Sequence, residues 1–135
     1  MRRFALVALS FLLTCGLGAQ DLDMQAKFIK VIVSSTGQFG IACNNDPALK
    51  KVLEKVGVSV SPGFKLAWAA SEAEVKTLKA DGRLVVVPKL EWVKLGAGIA
   101  IVSVEGLPQL YLNMVNVKAS GMTLPDAIIK IAKKI

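Results

Sequence analysis

The side chains that most often carry chemistry are scarce in this chain and badly spaced for it. Its 135 residues include no histidine. That removes Ser-His-Asp and Cys-His nucleophile systems, imidazole acid–base work and most transition-metal sites. The ten carboxylates are scattered singly. Glu72 and Glu74 are as close as any pair, and helix capping accounts for one of them;. A glycosidase-like pair would have to assemble in space, since no spacing asks for it. Gly96-Ala97-Gly98 supplies part of a dinucleotide fingerprint, but it precedes an apolar run instead of following one, so it reads as chain flexibility. Neither a Gly-x-x-x-x-Gly-Lys phosphate loop nor a Gly-x-Ser-x-Gly elbow occurs. The expectation is a chain with no catalytic residues, no metal ligands and no cofactor.

Three further side chains draw notice. Trp68 lies in an apolar run and reads as core. Trp92 lies between Glu91 and Lys94 in a loop-like stretch. Exposed there beside Leu95, it would anchor a binding partner, because tryptophan is enriched at interface hot spots; the alternative is ordinary semi-burial. Cys43 sits in Phe39-Gly40-Ile41-Ala42-Cys43. Free cysteine is commonly a core residue, so burial is the preferred reading, and an intermolecular disulfide in a homodimer is the alternative.

The elements that must position these residues are readable from period and punctuation. Phe28, Ile29, Ile32 and Val33 recur at helical spacing between Met24 and Val33, and Ser34-Ser35-Thr36-Gly37 ends that helix. A strand over Phe39–Cys43 leads to Asn44-Asn45-Asp46-Pro47. There Asp46 is a good N-cap and Pro47 fits the first helical position. Leu49, Val52, Leu53 and Val56 form one stripe, stopped by Gly57. A strand over Phe64–Ala69 precedes the capping box Ser71-Glu72-Ala73-Glu74, whose helix runs to Asp81-Gly82. Leu84-Val85-Val86-Val87 is a continuous β-branched run suited to a strand buried on both faces. Pro88–Leu95 is short and helical or irregular. Gly98–Val104, the Glu105-Gly106 turn and Gln109–Leu112 form a hairpin. Asn113 caps a short segment to Ser120, a ligand contact being the weaker option. Thr123 is expected to cap a last helix with Ile128, Ile129, Ala132 and Ile135 facing inward and Lys130, Lys133 and Lys134 complementing its dipole. Strands alternating with helices predict one α/β domain over 20–135, with a mostly parallel sheet flanked by helices and a C-terminal antiparallel hairpin at one edge.

The first 19 residues read as a secretory signal peptide. Met1-Arg2-Arg3 is the basic start, Phe4–Leu13 the apolar run, and cleavage between Ala19 and Gln20 fits the small residues there. An uncleaved anchor is an alternative, though the run is short for a membrane span. Leu12-Leu13-Thr14-Cys15 resembles a lipobox, a second alternative. The expected location is the bacterial periplasm. Loss of Arg2 and Arg3 leaves 15 basic against 10 acidic residues. The 14 lysines are spread along the chain and Arg83 is the one arginine left. Nucleic-acid binding favours a concentrated patch with arginine, so none is expected. In an exported protein such spread charge reads as ordinary solubility or as attraction to anionic membrane surfaces.

The C-terminal half carries a family likeness. Gly96-x-Gly98-Ile99, an apolar strand, Glu105-Gly106, a second strand ending Leu112-Asn113, then Lys118-Ala119-Ser120-Gly121-Met122-x-Leu124 and an Ile/Leu/Ala helix follow in order. Together with the opening Gln25-Ala26-Lys27-Phe28-Ile29, this resembles the YfiR-like family of small periplasmic proteins. The resemblance covers most of 24–135. It implies a non-catalytic regulatory module that binds a membrane-anchored envelope protein, a diguanylate cyclase in that family. The chain departs from the pattern by its shortness, by lacking Trp-Pro after the opening helix, and by Gly82-Arg83 where a cysteine often stands. The alternative function is a periplasmic small-ligand-binding domain at the carboxyl ends of the strands. An unusual hydrolase using a carboxylate and lysine ranks last.

Overall fold

A computed structural model describes residues 22–135. The expected signal peptide, its expected cleavage point and Cys15 lie outside the described residues.

The first element, helix α1 over 22–35, buries Ala26, Ile29, Ile32 and Val33 on one face. Strand β1 is Gly40–Ile41, followed by helix α2 at Pro47–Lys55, strand β2 at Ser59–Val60 and strand β3 at Leu66–Trp68. Helix α3 spans Glu72–Ala80, strand β4 Leu84–Val87, and a 3₁₀ helix Leu90–Leu95. Strands β5 (Ile99–Val104) and β6 (Leu107–Leu112) form a hairpin. Helices α4 (Met114–Ala119) and α5 (Asp126–Ile131) and strand β7 (Lys133–Lys134) complete the chain.

The caps explain why α2 and α3 start where they do. Asp46 accepts the Leu49 amide at 3.1 Å with Pro47 in the first turn. Ser71 accepts the Glu74 amide at 3.2 Å. The reciprocal arm of that box differs from expectation, because Glu74 reaches back to the Ala70 amide (2.7 Å) and not to that of Ser71. At Glu105-Gly106 both residues have positive φ (53° and 79°), which matches the right-handed twist of a two-residue hairpin;.

The main sheet runs β3-β4-β5-β6-β7. Its first three strands are parallel, β6 is antiparallel to β5, and β7 is parallel to β6. A small parallel pair, β1 with β2, joins it through a bridge between Ala42 and Ala67. Gly40 is required there, since a Cβ would drive into the Ser59 carbonyl and the Phe64 ring. The fold is therefore α/β with a mostly parallel sheet, as expected.

Alternation along the strands splits the core into two compartments. One face holds large side chains: Ile29, Ile32, Leu49, Leu53, Leu66, Leu84, Ile99, Ile101, Leu110, Leu112 and Ile128. The other, under α3 and the 3₁₀ helix, is built largely of Ala42, Ala67, Ala69, Ala97 and Ala100 with Val75, Leu78, Val85, Val87, Trp92 and Val93. Leu84–Val87 is buried at every position, because consecutive side chains serve opposite compartments.

Four expectations are corrected. β2 is an additional strand, held by its ladder to β1. The antiparallel hairpin is not the sheet edge, since β7 pairs outside β6. Thr123 does not cap α5: Pro125 stands at the cap with no side-chain bond. The last helix also ends sooner. Ala132 turns extended, Lys133 and Lys134 enter β7, and Ile135 is 60% exposed instead of inward.

Candidate functional site

In open α/β sheets ligands favour the carboxyl ends of strands where the strand order reverses. Here that place lies between β1 and β3, whose following turns carry Asn44-Asn45-Asp46 and Ala69-Ala70-Ser71. The chain fills it with its own side chains. Asp46 caps α2 with one oxygen and accepts from Trp68 Nε1 (3.2 Å) with the other. Glu74 accepts from the Ala70 amide and from the Asn45 side-chain amide. Two carboxylates thus occupy the positive ends of α2 and α3, where an anionic ligand would otherwise sit.

Cys43 lies in the same knot. It is 3% exposed, and its sulfur donates weakly to the Asp46 carbonyl at 3.6 Å. Burial first, then the charges of Asp46 and Glu74, push the thiol up to about 12. A thiol that stays protonated is not a nucleophile. Its burial also corrects the intermolecular-disulfide alternative, because no second chain can reach a side chain so enclosed.

A second region is more open. On the alanine-rich side of the sheet, α3 covers β3 and β4, and the short 3₁₀ helix covers only the near end of β5. Past it the hairpin stands bare. The register pairs Val102 with Gln109 and Val104 with Leu107, all on the side of Tyr111;. Val104 is 45% and Leu107 70% exposed. Two grooves flank Leu90 and Glu91 of the 3₁₀ helix. One, about 480 Å³, is floored by Ile101–Val104 with Met24, Gln25 and Pro88 as walls. The other, about 390 Å³, is lined by Leu90, Val93, Asn113 and Ile135 with Glu91 and Lys94 at its lips.

β5 offers a main-chain edge in the larger groove. β4 pairs only with Ile99 and Ala100, so Ile101–Val104 have no partner on that side. The other free edges are blunted: Pro108 in β6 lacks an N–H, β7 consists of two lysines, and β2 is only two residues long;.

The proposed anchor pair is placed differently from expectation. Trp92 is buried in the second compartment with the Lys89 ammonium 5.3 Å from its ring centroid. Leu95 is half-buried against the same cluster. Neither projects to solvent, and the exposed apolar residue of this segment is Leu90. Asn113 does cap α4, accepting the Asn116 amide at 3.1 Å. Sequence reading passed over Val104, Leu107 and Tyr111. Their signal was a connection between β4 and β5 too short to hold a covering helix.

Among the described residues, no three acidic or cysteine side chains converge to hold a metal, and no helix is long and apolar enough to cross a membrane.

No family model and no curated protein matches the chain. Solved structures do share its fold. One is the ABC domain in complex with L-Trp from Streptococcus pneumoniae, at TM-score 0.61 and 11% identity, matching 81% of this chain and 61% of that one. Another is a conserved domain protein from Vibrio cholerae, at TM-score 0.55 and 13% identity, matching 84% of this chain and 59% of that one. The chain thus spans about three-fifths of each neighbour. At such identities the likeness is one of fold.

Proposed function

We propose that the chain is an exported, non-catalytic binding module that docks a membrane-anchored envelope protein through the bare side of the β5–β6 hairpin. The observation that carries this reading is the contiguous set Val102, Val104, Leu107 and Leu90 beside an unblunted strand edge. Uncovered apolar surface of this kind marks interaction sites, and a free edge accepts an extended segment of a partner. The resemblance to YfiR-like proteins supports a regulatory role toward a membrane-bound diguanylate cyclase. The self-filled crevice between β1 and β3 is consistent with a protein that presses against a partner and does no bond-making.

The test is site-specific photocrosslinking from position 107 in intact cells, followed by identification of the membrane protein attached. Crosslinking from position 50 on α2 serves as the control. A partner captured from 107 and lost in Val104→Ser supports the reading. Equal labelling from both positions refutes it.

A second reading has its own observation. The groove beside Asn113 is apolar with one acidic and one basic residue at its lips, and a neighbour of this fold was solved with L-Trp. Under that reading the chain binds a small aromatic or apolar ligand. A thermal shift with L-Trp that Ile135→Glu abolishes would favour it.

A further inference from the structure

The last six residues combine two features that the docking face above does not use. Lys130, Ile131, Lys133, Lys134 and Ile135 are all exposed. Ile131 and Ile135 remain 55% and 60% accessible, close to the lysines in sequence. The main chain here is nonetheless well held. β7 pairs with Tyr111 and Leu112, and the Ile135 amide donates to the Leu112 carbonyl at 2.8 Å. Alternation sends the Lys133 and Lys134 side chains to opposite faces of the sheet edge. No aspartate or glutamate lies between residues 127 and 135. The one ion pair among the described residues is Arg83 with Asp81, so none of these lysines has a carboxylate partner there.

The end of α5 and the fixed edge strand after it, with two exposed isoleucines set among three unpaired lysines, match one kind of surface. We infer that the segment Lys130–Ile135 docks edge-on to an anionic phospholipid bilayer, the lysines meeting lipid phosphates and the isoleucines entering the headgroup–acyl boundary. Basic residues near such a surface are attracted electrostatically, and exposed apolar side chains add hydrophobic insertion. The inference is independent of the hairpin face: it would hold the module at a membrane whether or not a protein partner is present.

The experiment uses the secreted protein, expressed from its full-length gene, with vesicles of phosphatidylglycerol-rich or pure phosphatidylcholine composition. Wild type should cosediment with the former and not the latter, and added salt should release it. Each lysine lost should weaken binding about five-fold, so the triple change Lys130→Ser, Lys133→Ser and Lys134→Ser should weaken it about a hundred-fold. The corresponding triple arginine variant should bind like wild type. Ile131→Ser with Ile135→Ser should weaken binding about ten-fold or more. All these side chains are exposed, so melting temperature should hold. Control changes at Lys50, Lys51 and Lys55 of α2 carry the same loss of charge elsewhere and should leave binding within about two-fold of wild type. Absence of any preference for anionic vesicles would overturn the inference and leave the lysines as edge protection alone. An equal loss in the α2 control would overturn it too, because net charge and not this segment would then be acting.

Discussion

Replacing Asp46 tests the physical account of the knot between β1 and β3. Asp46→Ala removes two bonds at once. The first is the cap on the Leu49 amide, typically worth about 1 kcal/mol;. The second is the bond from Trp68 Nε1, whose loss leaves the donor of a 2%-exposed tryptophan without its acceptor. Such a group costs about 1–3 kcal/mol, and the partial exposure of Asp46 lets water recover some of it. The expected total is about 2–3 kcal/mol, or about 8–12 °C in melting temperature for a domain of this size. Asp46→Ser separates the parts, because serine caps as well but is too short to reach the indole. It should lose only the second part. Denaturant titration followed by tryptophan fluorescence and by circular dichroism reads both. Cys43 provides an independent signal, since Asp46 is the foremost charge holding its thiol up. In both variants the rate of Cys43 labelling at mildly alkaline pH should rise. A loss below about 0.5 kcal/mol in Asp46→Ala, within the range of an ordinary surface change, would refute the reasoning.

Three more outcomes follow from the structure. The Cys43 thiol keeps its proton in the folded chain at pH values where the unfolded chain has lost it, so it makes stability fall as pH climbs from the ordinary thiol value of 9.0 towards 12;. Wild type minus Cys43→Ala should therefore lose about 1.4 kcal/mol per pH unit over that window and show no slope below it, as read by urea titrations at stepped pH. Asn116 donates to the Val93 and Ala97 carbonyls and accepts from Lys79, tying α4, the 3₁₀ helix and α3 together; Asn116→Leu should cost about 2–4 kcal/mol in chemical denaturation. Gly98→Ala would place a Cβ 2.5 Å from Leu84 Cδ1 and 3.1 Å from Val117 Cγ2, and overpacking of that kind should cost about 1–3 kcal/mol, measured as a lowered urea midpoint with unchanged m-value;.

Much of the fold could be read before any coordinates because local chemistry decided it. Asp46-Pro47 and Ser71 start their helices by bonds that span three residues, and Glu105-Gly106 closes its hairpin through its own dihedral preferences. Leu84–Val87 is apolar throughout because both of its faces are covered. The pieces that escaped reading depend on distant neighbours. Ser59-Val60 and Lys133-Lys134 have no strand pattern; each is a strand only because another backbone, at β1 or β6, offers a ladder. Pro125 replaced Thr123 at the start of α5 because the chain approaches that helix extended. The bond from Trp68 to Asp46 joins residues 22 apart in sequence, which no spacing rule anticipates. Trp92 misled for the opposite reason. Its polar neighbours Glu91 and Lys94 suggested exposure, yet a 3₁₀ turn points consecutive side chains in quite different directions and sends the indole inward. The bare hairpin was written in what is missing, a full helix between β4 and β5, and absent elements leave no periodic trace.

The unequal compartments give the molecule a thick side and a thin side. Where the packing uses leucine and isoleucine, a lost methylene leaves a void that neighbours can partly fill. Where it uses alanine, a larger residue has no such slack and must push α3 or the 3₁₀ helix off the strands;. Drift in such a chain is therefore directional. Its descendants can shrink side chains on one face far more readily than they can grow them on the other, beneath α3;.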